Sequence, residues 1–255
     1  GKIVRTSSDA DADATPTLRR CHRLTHIHTT HSLTPLANMP AELTYFNLRG
    51  VAEGARLLYA AAGKSGEFTD NRIPVDVSKF SEGVAVAAPQ FAEGREAGTF
   101  KMNMNRIPIL VVDGATIGQS SAIERYIARQ LGMYGSTDVE GALIDMIAEH
   151  IKDISKSYQD EKKKGPEAAA TWLKDSLPEW LGKLEATLGS EGFAVGNKMS
   201  WADIKLFQFM REYFDDKESV ATAEATVPKV SAIVKAVESC EGVKLYLETR
   251  PATPF

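Results

Sequence analysis

From residue 39 onward, apolar and polar positions fall into regular periods. Residues 42–46 (ELTYF) alternate in the two-residue period of a short strand, and Asn47 to Gly50 form a turn. Residues 51–62 place Val51, Ala55, Leu58 and Ala62 on one helical face, with Gly63 where a C-cap belongs. A second extended run, Phe68 to Val75, follows. Strand, helix and strand in such a short stretch predict a βαβ unit with parallel strands and a right-handed crossover. Residues 76–106 show no period, hold Phe80, Phe91, Arg95 and Lys101 among small residues, and are expected to be irregular. Next, Asp113-Gly114 sits between the apolar runs 107–112 and 115–117, a strong hairpin signal. The hairpin leads into a helix opened by Ser120 or Ser121, with Ile123, Tyr126, Ile127 and Leu131 at core spacing and Gly132 just past its end. Ser121 and Glu124 have the spacing of a capping box. The predicted order is β-α-β-β-β-α.

Beyond residue 136 the strand signals stop. Val139, Leu143, Ile144, Ile147, Ile151 and Ile154 recur at three- and four-residue steps in a predicted helix over 138–163. Gly165-Pro166 restarts a helix through Leu188 in which Pro178 is expected to force a kink or a delay. Helices over 200–214 and 227–238 and a short one near Leu245 complete the set. In Ser200-x-x-Asp203 the serine caps and the aspartate reaches back, so this motif is assigned to folding and not to chemistry. Two architectures in series predict a leader over 1–38, an α/β domain over 39–132 and an all-helical domain over 138–255.

Composition changes this picture little, because 43% hydrophobic and 25% charged residues are ordinary for a globular chain. The net charge of −4 conceals a basic leader, five cations against three aspartates, ahead of a more acidic body. An acidic body gives no electrostatic case for nucleic acid. No run has the length of a membrane helix. Cys21 and Cys240 lie far apart, which suits a reduced, cytoplasmic protein. Residues 1–38 read as an unstructured leader, either an organelle-targeting segment or extra sequence ahead of a start at Met39. Its cluster of Cys21, His22, His26, His28 and His31 matches no zinc spacing, so no metal is expected.

Three weak signals carry candidate chemistry. Tyr45 ends the first strand. Ile107-Pro108 opens the hairpin strand, with either proline isomer allowed. Gln119-Ser120-Ser121 stands at a helix N-terminus, where open amides and the helix dipole favour a carboxylate or phosphate, with simple capping as the alternative.

Together, LTYFNLRGVAEGARLL at 43–58, NRIPILVVDGATIGQSSAIERYIA at 105–128, VGNKMSWADIKLF at 195–207 and the final YLETRPATPF resemble the cytosolic glutathione transferases, nearest the sigma class that includes haematopoietic prostaglandin D synthase. The resemblance covers about 39–255. It implies the glutathione transferase fold: an α/β thioredoxin-like N-terminal domain followed by an all-α C-terminal domain, in a homodimer. It implies glutathione as co-substrate and a small hydrophobic electrophile as second substrate. Tyr45 matches the hydroxyl that donates to the glutathione sulfur, Gln119 and Ser120 the residues holding the γ-glutamyl carboxylate, and the Ile107 backbone ahead of Pro108 the segment pairing with the cysteinyl part. Asp153 matches an acid reaching across the dimer to the γ-glutamyl amine. Phe91 and Arg95 stand where the family places Trp and Lys for the glycine end, and Val51 replaces a frequent Arg. Phe46 and Arg49 are nominated for the electrophile pocket by adjacency to Tyr45. Two other readings stay open: an isomerase that recycles glutathione, and a non-catalytic protein on the same fold.

Overall fold

The computed structural model describes residues 40–253. The expected leader, its Cys/His cluster and the proposed start at Met39 lie outside the described residues.

Strand β1 (Ala41–Phe46) forms as its alternation predicts, and after a short 3₁₀ turn at Gly50–Ala52 the chain enters helix α1 (Glu53–Ala61). Gly63 adopts φ +68 just beyond α1, the left-handed stop expected of it. Strand β2 (Phe68–Ile73) pairs parallel to β1, which completes the βαβ unit. Strands β3 (Ile109–Val112) and β4 (Ala115–Gly118) form the hairpin, with Asp113 and Gly114 both at positive φ as a tight two-residue turn requires. The sheet order is β2-β1-β3-β4, with β3 antiparallel to both neighbours.

The stretch expected to be irregular is largely helical. It holds two 3₁₀ segments and the short helices α2 (Val84–Ala87) and α3 (Pro89–Glu96). Their apolar residues are too few and too close together to set a period. Phe91 and Phe100 nevertheless pack with Ala88 and Ile109 into a small second cluster, against which Phe46, Ile73 and Ile107 also rest. Asn103 anchors the same stretch by donating to the carbonyls of Arg106 and Pro108, each at 3.0 Å.

Helix α4 (Ser120–Gln130) begins where expected, but the Ser121–Glu124 capping box does not form. The Glu124 carboxylate is fully buried and turned toward the second half of the chain. There it accepts from Trp201 Nε1 at 3.0 Å and pairs with Lys205 Nζ at 3.2 Å. A charge-assisted bond in a dry interface outweighs one to an exposed helix end.

The rest is helical: α5 (Asp138–Lys162), α6 (Pro166–Thr171), α7 (Leu177–Glu185), α8 (Trp201–Glu212), α9 (Lys217–Glu224), α10 (Pro228–Glu238) and α11 (Glu241–Thr249). Pro178 acts as predicted. One wide π turn, Trp172–Ser176, precedes it, and Leu177 N–H reaches back five residues to the Trp172 carbonyl. The turn absorbs the bond and the space that a proline ring denies an ordinary helix. The capping box of α8 does form: Asp203, buried, accepts from the Ser200 N–H and hydroxyl at 2.7 and 2.6 Å and from Ala194 N–H at 2.7 Å. Every residue of α1 from Glu53 to Ala60 is buried, because α1 packs on α4, α8 and α11 as well as the sheet. One continuous core therefore runs from Leu43 and Leu110 of the sheet through Leu57, Leu58 and Ile123 to Ile144, Ile151 and Phe207 of the helices.

Candidate active site

Strand register brings the three weak signals together. Thr44 pairs with Ile109, and Ile109 pairs with Gly118, so these residues form one row across β1, β3 and β4. Tyr45, Pro108 and Gln119 each lie one residue beyond that row, at the same end of the sheet. The Ile107-Pro108 bond is cis. Gln119 takes φ +67 at the N-cap of α4 and makes no side-chain cap bond, while its carbonyl accepts from the Ala122 and Ile123 N–H groups. The first amides of α4, at Ser120 and Ser121, thus open toward this end of the sheet, where the helix dipole favours an anion.

Tyr45 is half-buried, and its hydroxyl lies over the turn that follows the strand. Gly50 at φ +44 supports it: a Cβ there would sit 2.8 Å from the phenolic oxygen. Burial pushes the Tyr45 hydroxyl above its ordinary value, and the Val51 backbone N–H and the Arg56 charge pull it part of the way back. The phenol is therefore protonated at neutral pH, which makes it a hydrogen-bond donor and not a base. Val51 itself is half exposed beside it.

Phe46 lies 5.6 Å from the Tyr45 ring and meets Phe91 edge-on at 5.1 Å. Phe91 is buried in the second cluster against which Ile107 packs, and Arg95 is exposed with its guanidinium 5.7 Å above the Phe91 ring. Arg49 turns toward Glu212 of α8 and pairs with it. Asp153 is exposed on α5 and forms no hydrogen bond or ion pair with another described residue.

A chain of alternating charges underlies the turn, and sequence reading missed it. Arg49 pairs with Glu212, Glu212 with Arg250 at 3.0 Å, and Arg250 with Glu53 at 2.7 Å. From Glu53 it continues to Arg56 at 3.3 Å, to Asp70 at 3.0 Å and to Arg72 at 2.7 Å. Arg56, 1% exposed, also donates to the Leu48 carbonyl at 2.7 Å and the Arg49 carbonyl at 3.4 Å, so it grips the turn that carries Tyr45. A signal was present: Glu53 and Arg56 are three residues apart in an otherwise apolar helix, where unpaired charges are not tolerated.

The geometry offers a protonated phenol, a helix N-terminus and the start of β3 at one end of the sheet, and the described residues hold no group of three or more His, Cys, Asp and Glu that could bind a metal. Residues 41–129 match the glutathione S-transferase N-terminal domain and residues 145–250 the glutathione S-transferase C-terminal domain. The chain is 33% identical to hematopoietic prostaglandin D synthase of Gallus gallus over 220 residues, covering 83% of this chain and 97% of that protein. It is 29% identical to glutathione S-transferase 1 of Ascaris suum, over 84% of this chain and 98% of the relative. Among solved structures, a monomeric glutathione S-transferase of Necator americanus superposes with a TM-score of 0.67 at 25% identity, over 84% of this chain and 99% of the other. The four-stranded sheet, the helical second half and these likenesses together place the chain in the glutathione S-transferase family.

Proposed function

We propose that this glutathione transferase binds the tripeptide across the end of the sheet and uses Tyr45 to hold its sulfur as thiolate for attack on a small hydrophobic electrophile. The observation that carries the reading is the shared register row, which sets Tyr45, Pro108 and Gln119 side by side. An extended tripeptide continues the sheet beside Ile107 and Pro108, which precede the first paired residue of β3. Its γ-glutamyl carboxylate takes the open amides of α4 with Gln119 and Ser120. Arg95 offers a cation for the glycine carboxylate, while Phe91 contributes packing only, lacking a donor.

A free thiol of pKa about 8.5 is only a few per cent thiolate at pH 7. Lowering that value by about two units needs roughly 2.7 kcal/mol of preference for the thiolate. One phenolic donor plus the field of a helix N-terminus in a dry site supplies that order of energy. Tyr45→Phe is expected to raise the bound thiol pKa and cut turnover of an aryl halide at neutral pH by about tenfold or more; unchanged thiolate absorbance and rate would remove Tyr45 from the mechanism.

The 33% identity to the chicken prostaglandin D synthase supports isomerase chemistry as a second reading. The neutral Val51 and the donor-free Phe91 weigh against that particular substrate, and an endoperoxide assay beside the aryl halide separates the two.

Self-association belongs to the same reading. Val139, Leu143 and Met146 expose one apolar stripe along α5, with Asp153 further along the helix. Burying that stripe against a second copy would leave Asp153 near the partner's site. Sedimentation of Leu143→Glu tests it: the variant should be monomeric where the parent is dimeric.

A further inference from the structure

Three successive carbonyls of the turn beneath Tyr45 are held by side chains. Arg56 takes those of Leu48 and Arg49, and Gln208 Nε2, from α8 of the helical half, takes that of Gly50 at 3.1 Å. The Gly50–Val51 peptide is the unit that matters. Its carbonyl accepts from Gln208 Nε2, and its Gly50 end lies against the Tyr45 hydroxyl. Gly50 brings that peptide close enough, since a Cβ there would meet the phenolic oxygen at 2.8 Å.

A second observation singles out the amide of Gln208. Its Oε1 is buried and has no hydrogen-bond partner, in space left open by Gly54. Leu or Met would fill the same volume with no orphaned carbonyl, so packing alone gives no reason for glutamine here. The useful half of the side chain is the N–H that reaches Gly50.

We infer that Gln208 is a positioning residue for the thiol chemistry: by holding the Gly50 carbonyl from the helical half it fixes the backbone against which the Tyr45 hydroxyl rests, and so sets where that hydroxyl donates to sulfur. The inference rests on the proposed role of Tyr45. The charges around that hydroxyl are Arg56 on α1, Arg49 in the turn with Glu212 of α8, and Arg72 opposite Tyr45 on β2 with Asp70. All remain in a Gln208 variant.

The test titrates the thiolate absorbance of enzyme-bound glutathione in the full chain and in Gln208→Met, Tyr45→Phe and the double variant, with Gln208→Leu in reserve should the Met variant fold poorly. Gln208→Met is expected to raise the bound thiol pKa by about half a unit, roughly a threefold loss of thiolate and of kcat at neutral pH. KM for glutathione should stay within about twofold, and the shift should vanish in the Tyr45→Phe background. A shift with Tyr45→Phe but none with either Gln208 variant overturns the positioning role of Gln208 and leaves the role of Tyr45 standing. No shift with Tyr45→Phe overturns both. A Gln208→Met shift of equal size without the phenol shows that glutamine acts by another route and also overturns its positioning of Tyr45.

Discussion

Replacing Glu53 by Ala probes the charge chain at its most enclosed link. The Glu53 carboxylate is fully buried and accepts from Arg250 Nη1 at 2.7 Å, the Tyr246 hydroxyl at 3.1 Å and Arg56 Nη1 at 3.3 Å. Without it two guanidiniums face each other across a void, and the Tyr246 hydroxyl loses the acceptor whose charge, together with burial, holds its proton tightly. Removing one partner of a buried ion pair costs about 3–5 kcal/mol. Arg56 keeps Asp70 and the Leu48 carbonyl, and Arg250 keeps Glu212, which argues for the lower end, about 3 kcal/mol. At roughly 2–4 °C per kcal/mol for a chain of this size, the unfolding midpoint should fall by about 6–12 °C. Glu53→Gln keeps the shape and one acceptor and should lose about half as much. Scanning calorimetry at low and high salt is the assay, because a buried pair is screened far less than a surface pair and the difference should survive added salt. A loss below about 1 kcal/mol, or one that salt erases, would rank these contacts with ordinary surface pairs and refute the reasoning.

Asp203 is expected to make stability pH-dependent: burial raises its carboxyl above the ordinary 3.8, so its charged form is a burden that grows as pH climbs from there through the folded value. Denaturant midpoints should therefore show the parent losing ground to Asp203→Asn as pH rises through that window, and parallel curves would contradict the assignment. Asp203→Ala strips three acceptor contacts and should melt well below the parent, by about 2–3 kcal/mol. Gly242→Ala places a Cβ 1.9 Å from the Ala60 carbonyl of α1, a backbone atom that cannot step aside, and is expected to destabilise by about 2–3 kcal/mol. Gly182→Ala, in open space on α7, should instead stabilise by about 0.5–1 kcal/mol, and equal melts for these two glycine variants would show that the close approach of α11 to α1 is unimportant. Gly50→Ala combines strained backbone with an intrusion on the Tyr45 hydroxyl; turnover should fall further than the strain of about 1–2 kcal/mol alone lowers stability.

Local signals in this chain were legible where chemistry and period agree within a few residues. The ELTYF alternation, the Asp113-Gly114 turn, the apolar face of α5 and the Ser200–Asp203 box each specify their element by near-neighbour physics. Helix α3 escaped because it is anchored by Phe91 and little else, and α9 because KESVATAE is short and mostly polar. The Ser121–Glu124 spacing misled, since a distant tryptophan and lysine outcompeted the helix end for Glu124. At the site, Tyr45, Pro108 and Gln119 were visible singly, and their adjacency follows from strand register, which the hairpin fixes. The supports of Tyr45 were not visible: Glu212, Arg250 and Gln208 reach the turn from more than 150 residues away.

The alternating charges also bear on how the chain matures as it leaves the ribosome. Glu53 and Arg56 are made together, while Arg250, the second cation on Glu53, follows 197 residues later. Until Arg250 arrives, Glu53 has only Arg56, which it shares with Asp70, so the turn beneath Tyr45 is held by part of its charges until α11 packs on α1. Truncation just ahead of Arg250 should leave nascent chains more readily cleaved in the turn between β1 and α1, although every strand of the sheet has been made.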